Sequence, residues 1–260
     1  MDLGLTGKHA VVTGASRGIG FAVARGLVAE GVDVALVARH EEHLARAAEE
    51  LRAHADACSG RVVTLTCDTA DDDAVQDMAR AAEQELGGVD VLVNCAAPGG
   101  SMRDEDLDEH LNVKVKGYLR CARAFAPGMA RRGWGRIVNV SGLNARSTGS
   151  VVGSVRNVAV AAMTKNLADE YGGQGINVTV VHPGLTRTDS TVQWLTSMAE
   201  TEGITLQEAE ASASAGNTIG RLVTPDELAS VIVFLASPLS VAITGDAIAA
   251  GGGVRGSIHY

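Results

Sequence analysis

Short apolar runs alternating with longer segments of helical periodicity dictate most of what this chain can become. The runs are His9–Thr13 and residues 33–37, 61–66, 90–94, 136–141, 177–181 and 246–249. Between them, apolar residues recur at helical spacing over 18–30, 41–55, 71–86, 104–132 and 155–171. Strands joined through helices rather than tight turns pair in parallel, by right-handed crossovers. The runs are continuously apolar, so both faces of the sheet must be covered. The expected fold is α/β, a doubly wound sheet of seven parallel strands with helices on both faces.

Composition permits such a core and narrows the partners. Apolar residues make up 46% of the 260 residues but aromatics only 3%, so small and branched aliphatics must fill the interior. A net charge of −9 argues against nucleic acid, whose phosphates call for clustered Lys and Arg. Cys58, Cys67, Cys95 and Cys121 have neither CxxC spacing nor a secreted framework, so buried thiols are expected. No set of His, Cys, Asp and Glu has metal-site spacing, and His40, His43 and His54 lie on or beside a surface helix. Residues 1–14 run into the first strand without a basic-then-apolar leader, and no apolar stretch reaches the ~20 residues of a membrane span. The expectation is a cytoplasmic protein with no membrane partner.

Local signals agree with one domain over residues 1–260. Gly31 sits just past a helix, and Thr224-Pro225-Asp226-Glu227 reads as a capping box with proline at the first helical position. The irregular element is 185–221, a long insertion containing Trp194, Leu195 and Met198. A substrate lid is expected there, the alternative being a solvated surface insertion.

Residues Val11-Val12-Thr13-Gly14-Ala15-Ser16-Arg17-Gly18-Ile19-Gly20 end the first strand and open the first helix. Glycines at that junction let the backbone turn tightly and approach a pyrophosphate, whose charge meets the positive helix end. The spacing TGxxxGxG resembles the short-chain dehydrogenase/reductase family, a Rossmann-type fold. In that family an acid at the end of the second strand binds the ribose hydroxyls of NAD. Here Ala38 stands in its place, followed by Arg39, and Arg39 with Arg17 can clamp a 2′-phosphate. NADP(H) is therefore the expected cofactor, unless Arg39 simply points to solvent.

The resemblance extends along most of the chain. It places Asp68 and Thr69 at the adenine, Asn94 and Ala96 (within Asn94-Cys95-Ala96-Ala97) beside the cofactor, and Pro183, Gly184 and Thr188 at the nicotinamide amide. Ala97 replaces a family glycine, and His182 reads as a packed strand-end residue. The family's proton chemistry uses a tyrosine activated by a lysine four residues on, a serine, and an asparagine on the preceding long helix. Ungapped register within elements puts these roles on Gly153, Asn157, Gly142 and Lys114 respectively. Asn112 could take the asparagine role only by a two-residue slip. Ser141, beside Gly142, should face the other side of its strand. Tyr118 and Tyr171 lie well inside their helices.

The lysine and asparagine roles thus look exchanged, with Lys114 able to enter the pocket from the opposite helix or to stand as an ordinary solvated side chain. Three functions stay open. The first is an NADP(H)-dependent oxidoreductase acting on a small molecule, with Lys114 and Asn157 as its altered acid–base residues. The others are a non-redox lyase or isomerase and a noncatalytic cofactor-binding partner or sensor. Arg146, Ser147, Ser150 and Arg156 fall in or near the loop that would rim the pocket. Family members pair the two long helices in homodimers, often doubled to tetramers. Ala159, Ala161, Ala162 and Leu167, with a second apolar surface at 258–260, would serve that here.

Overall fold

The structure, a computed structural model, describes residues 2–53, 60–99 and 101–255. His54, Cys58 and the 258–260 segment lie outside the described residues. The seven strands are β1 (His9–Thr13), β2 (Asp33–Ala38), β3 (Val62–Thr66), β4 (Val91–Asn94), β5 (Gly135–Val140), β6 (Ile176–Pro183) and β7 (Ala247–Ala250). They form one parallel sheet in the order β3-β2-β1-β4-β5-β6-β7. The order reverses between β1 and β4, and the carboxyl ends of those strands are where such sheets open a crevice.

Alternate residues of each strand feed opposite cores. Val12, Leu36, Val93 and Val138 pack beneath α1 (Gly18–Ala29), α2 (Glu41–Ala53) and α9 (Pro225–Ala236), where Leu27 and Ile232 are fully buried. Val11, Val37, Leu92 and Ile137 face α3 (Asp72–Leu86), α5 (Gly117–Arg132) and α6 (Val151–Tyr171), with Phe125 and Met129 between them. Each fully buried side chain of this size contributes about 1.5–3 kcal/mol relative to exposure. The caps read from sequence are present. Gly31 adopts φ 77°, and Thr224 Oγ1 accepts from the Glu227 amide while the Glu227 carboxylate accepts from the Thr224 amide.

Three expectations need correction. The segment 104–132 is not one regular helix: α4 (Leu107–His110) passes into a π-helical turn, Leu111–Lys116, before α5. α6 begins at Val151, four residues earlier than expected, because Ser150 Oγ accepts from the Gly153 amide and caps it. Leu167 is 2% exposed and belongs to the core rather than to an outer face. The exposed apolar stripe of α6 consists of Val151, Val155 and Val158 with Ala162.

A buried polar belt ties β4, β5 and the flanking helices together. Asn94 Nδ2 donates to Asn139 Oδ1 at 2.9 Å, Asn139 Nδ2 to Thr164 Oγ1 at 2.9 Å, and Tyr118 Oη to the Val140 carbonyl at 2.9 Å. Tyr118→Phe leaves that carbonyl without its donor. Urea denaturation should show a loss of about 1 kcal/mol, with nucleotide binding unchanged.

The 185–221 insertion folds as two helices, α7 (Asp189–Glu202) and α8 (Leu206–Ser214), around a small core of Leu195, Ala199, Ala209 and Leu222. Among the described residues no helix is long and apolar enough to cross a membrane.

Candidate functional site

A cleft runs along the carboxyl edge of the sheet in two connected parts. The first, about 380 Å³, is lined by Gly14, Ser16, Arg17, Gly18, Ile19 and Gly20 and, across from them, by Arg39, Asp68, Thr69 and Ala96. The second, about 560 Å³, is lined by Lys114, Ser141, Gly142, Arg156, Asn157, Pro183 and Gly184, among others. Ile19, Cys95, Ala97 and Thr188 line both, which makes the two parts one channel.

The glycine loop is built for close backbone approach. Gly14 has φ 68°, and a Cβ there would lie 2.9 Å from the backbone of Ala96. A Cβ on Gly20 would lie 2.3 Å from the Gly14 carbonyl oxygen. Thr13 Oγ1 accepts from the amides of Cys95 (3.1 Å) and Ala96 (3.3 Å), which holds the β1 and β4 ends together. Arg17 occupies the N-cap of α1 without a capping side-chain bond, so no side chain there competes with an anion for the first amides. Arg17 and Arg39 are exposed at the rim of this part, His40 and His43 beside them. These residues fit a dinucleotide with an extra phosphate at the β2 end. Asp68 is exposed on the cleft wall, Thr69 is buried there, and Asn94 lies beneath the wall in the polar belt.

The second part is where the unusual side chains meet. The π-turn carries Lys114 inward. Its Nζ donates to the Ser141 carbonyl at 3.0 Å, and the residue is 4% exposed. Burial first, and the nearby Arg156 charge second, push its ammonium pKa down to about 7. Asn112, two residues earlier, instead bonds the Ala70 carbonyl through Nδ2 at 3.3 Å, away from this part of the cleft. Turns of this kind recur at functional sites because they aim side chains that a regular helix would not. Gly117 permits the accompanying close approach, since a Cβ there would lie 2.8 Å from the Thr69 carbonyl.

Gly142 and Asn157 are mutually fitted: a Cβ on Gly142 would lie 2.8 Å from Asn157 Nδ2. Asn157 is 2% exposed, and its Oδ1 is buried without a protein partner among the described residues. Ser141 lines the cleft, but its hydroxyl donates to the Asn157 carbonyl at 3.2 Å. Gly153 lies one turn before Asn157, and a Cβ there would lie 3.0 Å from Ser150 Oγ and 3.1 Å from Asn144 Nδ2. Among the described residues no tyrosine lines the cleft. Tyr118 is spent on Val140, and Tyr171 accepts from Arg123 at 2.6 Å.

Of the rim candidates, Ser147 and Arg156 line the cleft, Ser150 caps α6, and Arg146 donates to the Ala247 carbonyl. Asn144 lines the cleft and His110 bonds Arg156, and no sequence signal marks either. Cys95 sits between the two parts, where burial pushes its thiol up to about 11. No group of three or more His, Cys, Asp or Glu among the described residues could hold a metal ion.

The family model described as short chain dehydrogenase matches residues 8–199. Over 250 residues the chain is 35% identical to the short-chain reductase protein NovJ of Streptomyces niveus, covering 94% of this chain and 92% of that protein. It is 32% identical to the 3-oxoacyl-[acyl-carrier-protein] reductase FabG of Vibrio harveyi, covering 97% and 99% respectively. Among solved structures, L-sorbose reductase of Gluconobacter frateurii, complexed with NADPH and L-sorbose, superposes with a TM-score of 0.92 at 30% identity, covering 99% of this chain and 100% of that one. An actinorhodin polyketide ketoreductase variant with NADPH gives 0.87 at 30% identity, covering 96% and 98%.

Proposed function

The chain belongs to the short chain dehydrogenase family, and from that membership we propose that it is an NADPH-dependent carbonyl reductase whose proton donor is Lys114. NADPH, when bound, supplies the hydride. The residues that would hold it are the backbone of Gly14–Gly20 at the pyrophosphate, with Arg17 and Arg39 at the 2′-phosphate. Asp68 and Thr69 would meet the adenine, with Asn94 and Ala96 beside the nucleotide and Pro183, Gly184 and Thr188 at the nicotinamide end.

The observation that carries the reading is Lys114 itself, buried in the channel with its amine on the Ser141 carbonyl. A carbonyl oxygen that receives a hydride at its carbon must gain a proton, and an ammonium with a pKa of about 7 surrenders one readily at neutral pH. The Ser141 carbonyl fixes the amine in place. Asn157 Oδ1, buried and unpartnered among the described residues, is the acceptor for a water or hydroxyl beside it. The α7–α8 insertion, which contributes Leu185, Thr186, Thr191 and Ala213 to the wall, acts as a lid that excludes bulk water. The exposed stripe of α6 pairs with a second copy to give a homodimer or homotetramer.

The test is NADPH oxidation against a panel of ketones, aldehydes and imines between pH 6 and 9. Turnover should fall as pH rises through about 7, where Lys114 loses its proton. Tight NADPH binding without oxidation of any panel member would instead favour a noncatalytic cofactor-binding sensor. The hydroxyl-free positions Gly142 and Gly153 support that second reading. For the cofactor, Arg39→Ala should weaken NADPH binding by about 10- to 100-fold in a fluorescence titration and leave NADH within about twofold, since a lost charge-assisted phosphate bond is worth about 1.5–3 kcal/mol. Equal loss for both nucleotides would remove Arg39 from phosphate recognition.

A further inference from the structure

In a protein of net charge −9, the substrate end of the channel contains two cations, Lys114 and Arg156, and no carboxylate among its described lining residues. Neither cation takes part in an ion pair among the described residues. Arg156 is nevertheless a fixed part of the wall. Its Nη1 bonds His110 Nδ1, and His110 Nε2 bonds the Ser101 carbonyl at 3.1 Å. A carbonyl can only accept, so Nε2 carries the ring proton and Nδ1 receives the guanidinium N–H. His110, 2% exposed, therefore aims the guanidinium without supplying any negative charge.

The guanidinium is left incomplete by the described residues. Among them, Arg156 Nε is buried with no partner, and so is Asn157 Oδ1 on the next residue. A buried charged donor without an acceptor costs on the order of a few kcal/mol. Two like charges sharing one cavity add to that cost, since each disfavours the other. Such an arrangement is intelligible when the missing negative charge arrives with the ligand.

We propose that Arg156 is a substrate-anchoring residue that binds the carboxylate of an anionic carbonyl compound, leaving Lys114 for the carbonyl oxygen, so that the substrates are small oxo acids. This rests on the reading of the chain as a carbonyl reductase. A guanidinium matches the planar, singly charged carboxylate, with its fork of N–H donors in fixed geometry. A dianionic phosphate would call for more donors than one arginine provides once Lys114 is engaged. The rest of the wall, including Leu143, Leu185, Leu222 and Val254, suits a short carbon chain. Anion binding also favours the protonated Lys114, so that substrate and proton donor arrive in matched states.

The test is calorimetric titration of the NADP⁺-saturated protein with matched pairs: 2-oxobutanoate, 3-oxobutanoate and 4-oxopentanoate, each against its methyl ester. At least one acid should bind tenfold or more tighter than its ester. Arg156→Met should abolish that preference, and Arg156→Lys should restore part of it. If no acid outbinds its ester, or if Arg156→Met keeps the preference, the carboxylate anchor is wrong while the reductase reading stands. Failure of NADP⁺ to bind would sink the reductase reading instead. The same titrations on the nucleotide-free protein then still judge the anion site by the same acid-over-ester ratio.

Discussion

Lys114→Met is expected to make this protein both more stable and nearly inactive. Removing the proton donor should lower turnover by about 10²- to 10⁴-fold, the usual contribution of general acid catalysis. NADPH affinity should stay within about threefold, because Lys114 does not line the nucleotide part of the channel. The stability effect follows from linkage. In the unfolded chain the lysine keeps its proton up to about 10.5, whereas the folded site releases it at about 7. The native state is therefore penalised in full below pH 7, less and less between 7 and 10.5, and not at all above.

At about 1.4 kcal/mol for each tenfold change in proton affinity, that penalty is of order 5 kcal/mol. Methionine removes it but leaves the Ser141 carbonyl without its donor, which costs about 1 kcal/mol. The variant should then exceed the parent by about 4 kcal/mol in urea denaturation at pH 6, with the gap closing as pH approaches 10. Undiminished turnover would exclude Lys114 as the acid. A variant weaker than the parent at pH 6 would show that burying the amine carries no net cost.

The second large effect belongs to Gly20. Its missing Cβ is space already taken by the Gly14 carbonyl oxygen, so alanine must push the loop away from the helix end. Gly20→Ala should weaken NADPH binding by at least about 100-fold, because the amides that face the pyrophosphate would no longer converge. Strain of this kind typically costs 1–3 kcal/mol of folding stability, so the variant remains folded by circular dichroism. Gly172→Ala is the matched control: no atom lies within 4 Å of its built Cβ, and its φ is −56°. It should leave both affinity and melting temperature nearly unaltered. An NADPH Kd for Gly20→Ala within threefold of the parent would mean that the loop does not contact the nucleotide.

The sheet and its glycine loop were legible because both are local. Strand–helix alternation follows from apolar spacing, and the loop from glycines at a strand–helix junction. Arg156 was much harder to read. Its sequence neighbourhood suggests a helix surface, and its role depends on His110, 46 residues earlier, which the fold delivers to its side. Leu167 was misplaced for the complementary reason. Small apolar residues surround α6 on several sides, and only packing against α5 and β6 decides which are interior. An exchange of roles between Lys114 and Asn157 is an expectation from register alone. That the amine turns inward, while Asn112 turns toward the β3 loop, required the backbone.

The turn at Leu111–Lys116 has a consequence for how such a site could arise. A π-turn holds one residue more than the helix around it, and each residue advances a regular helix by about 100°. Deleting a single residue there would restore ordinary winding and re-phase the residues of the turn, Lys114 among them. The identity of the group facing the substrate is thus governed by chain phase as much as by residue type. A one-codon insertion or deletion can exchange what the cavity sees without touching any residue that lines it.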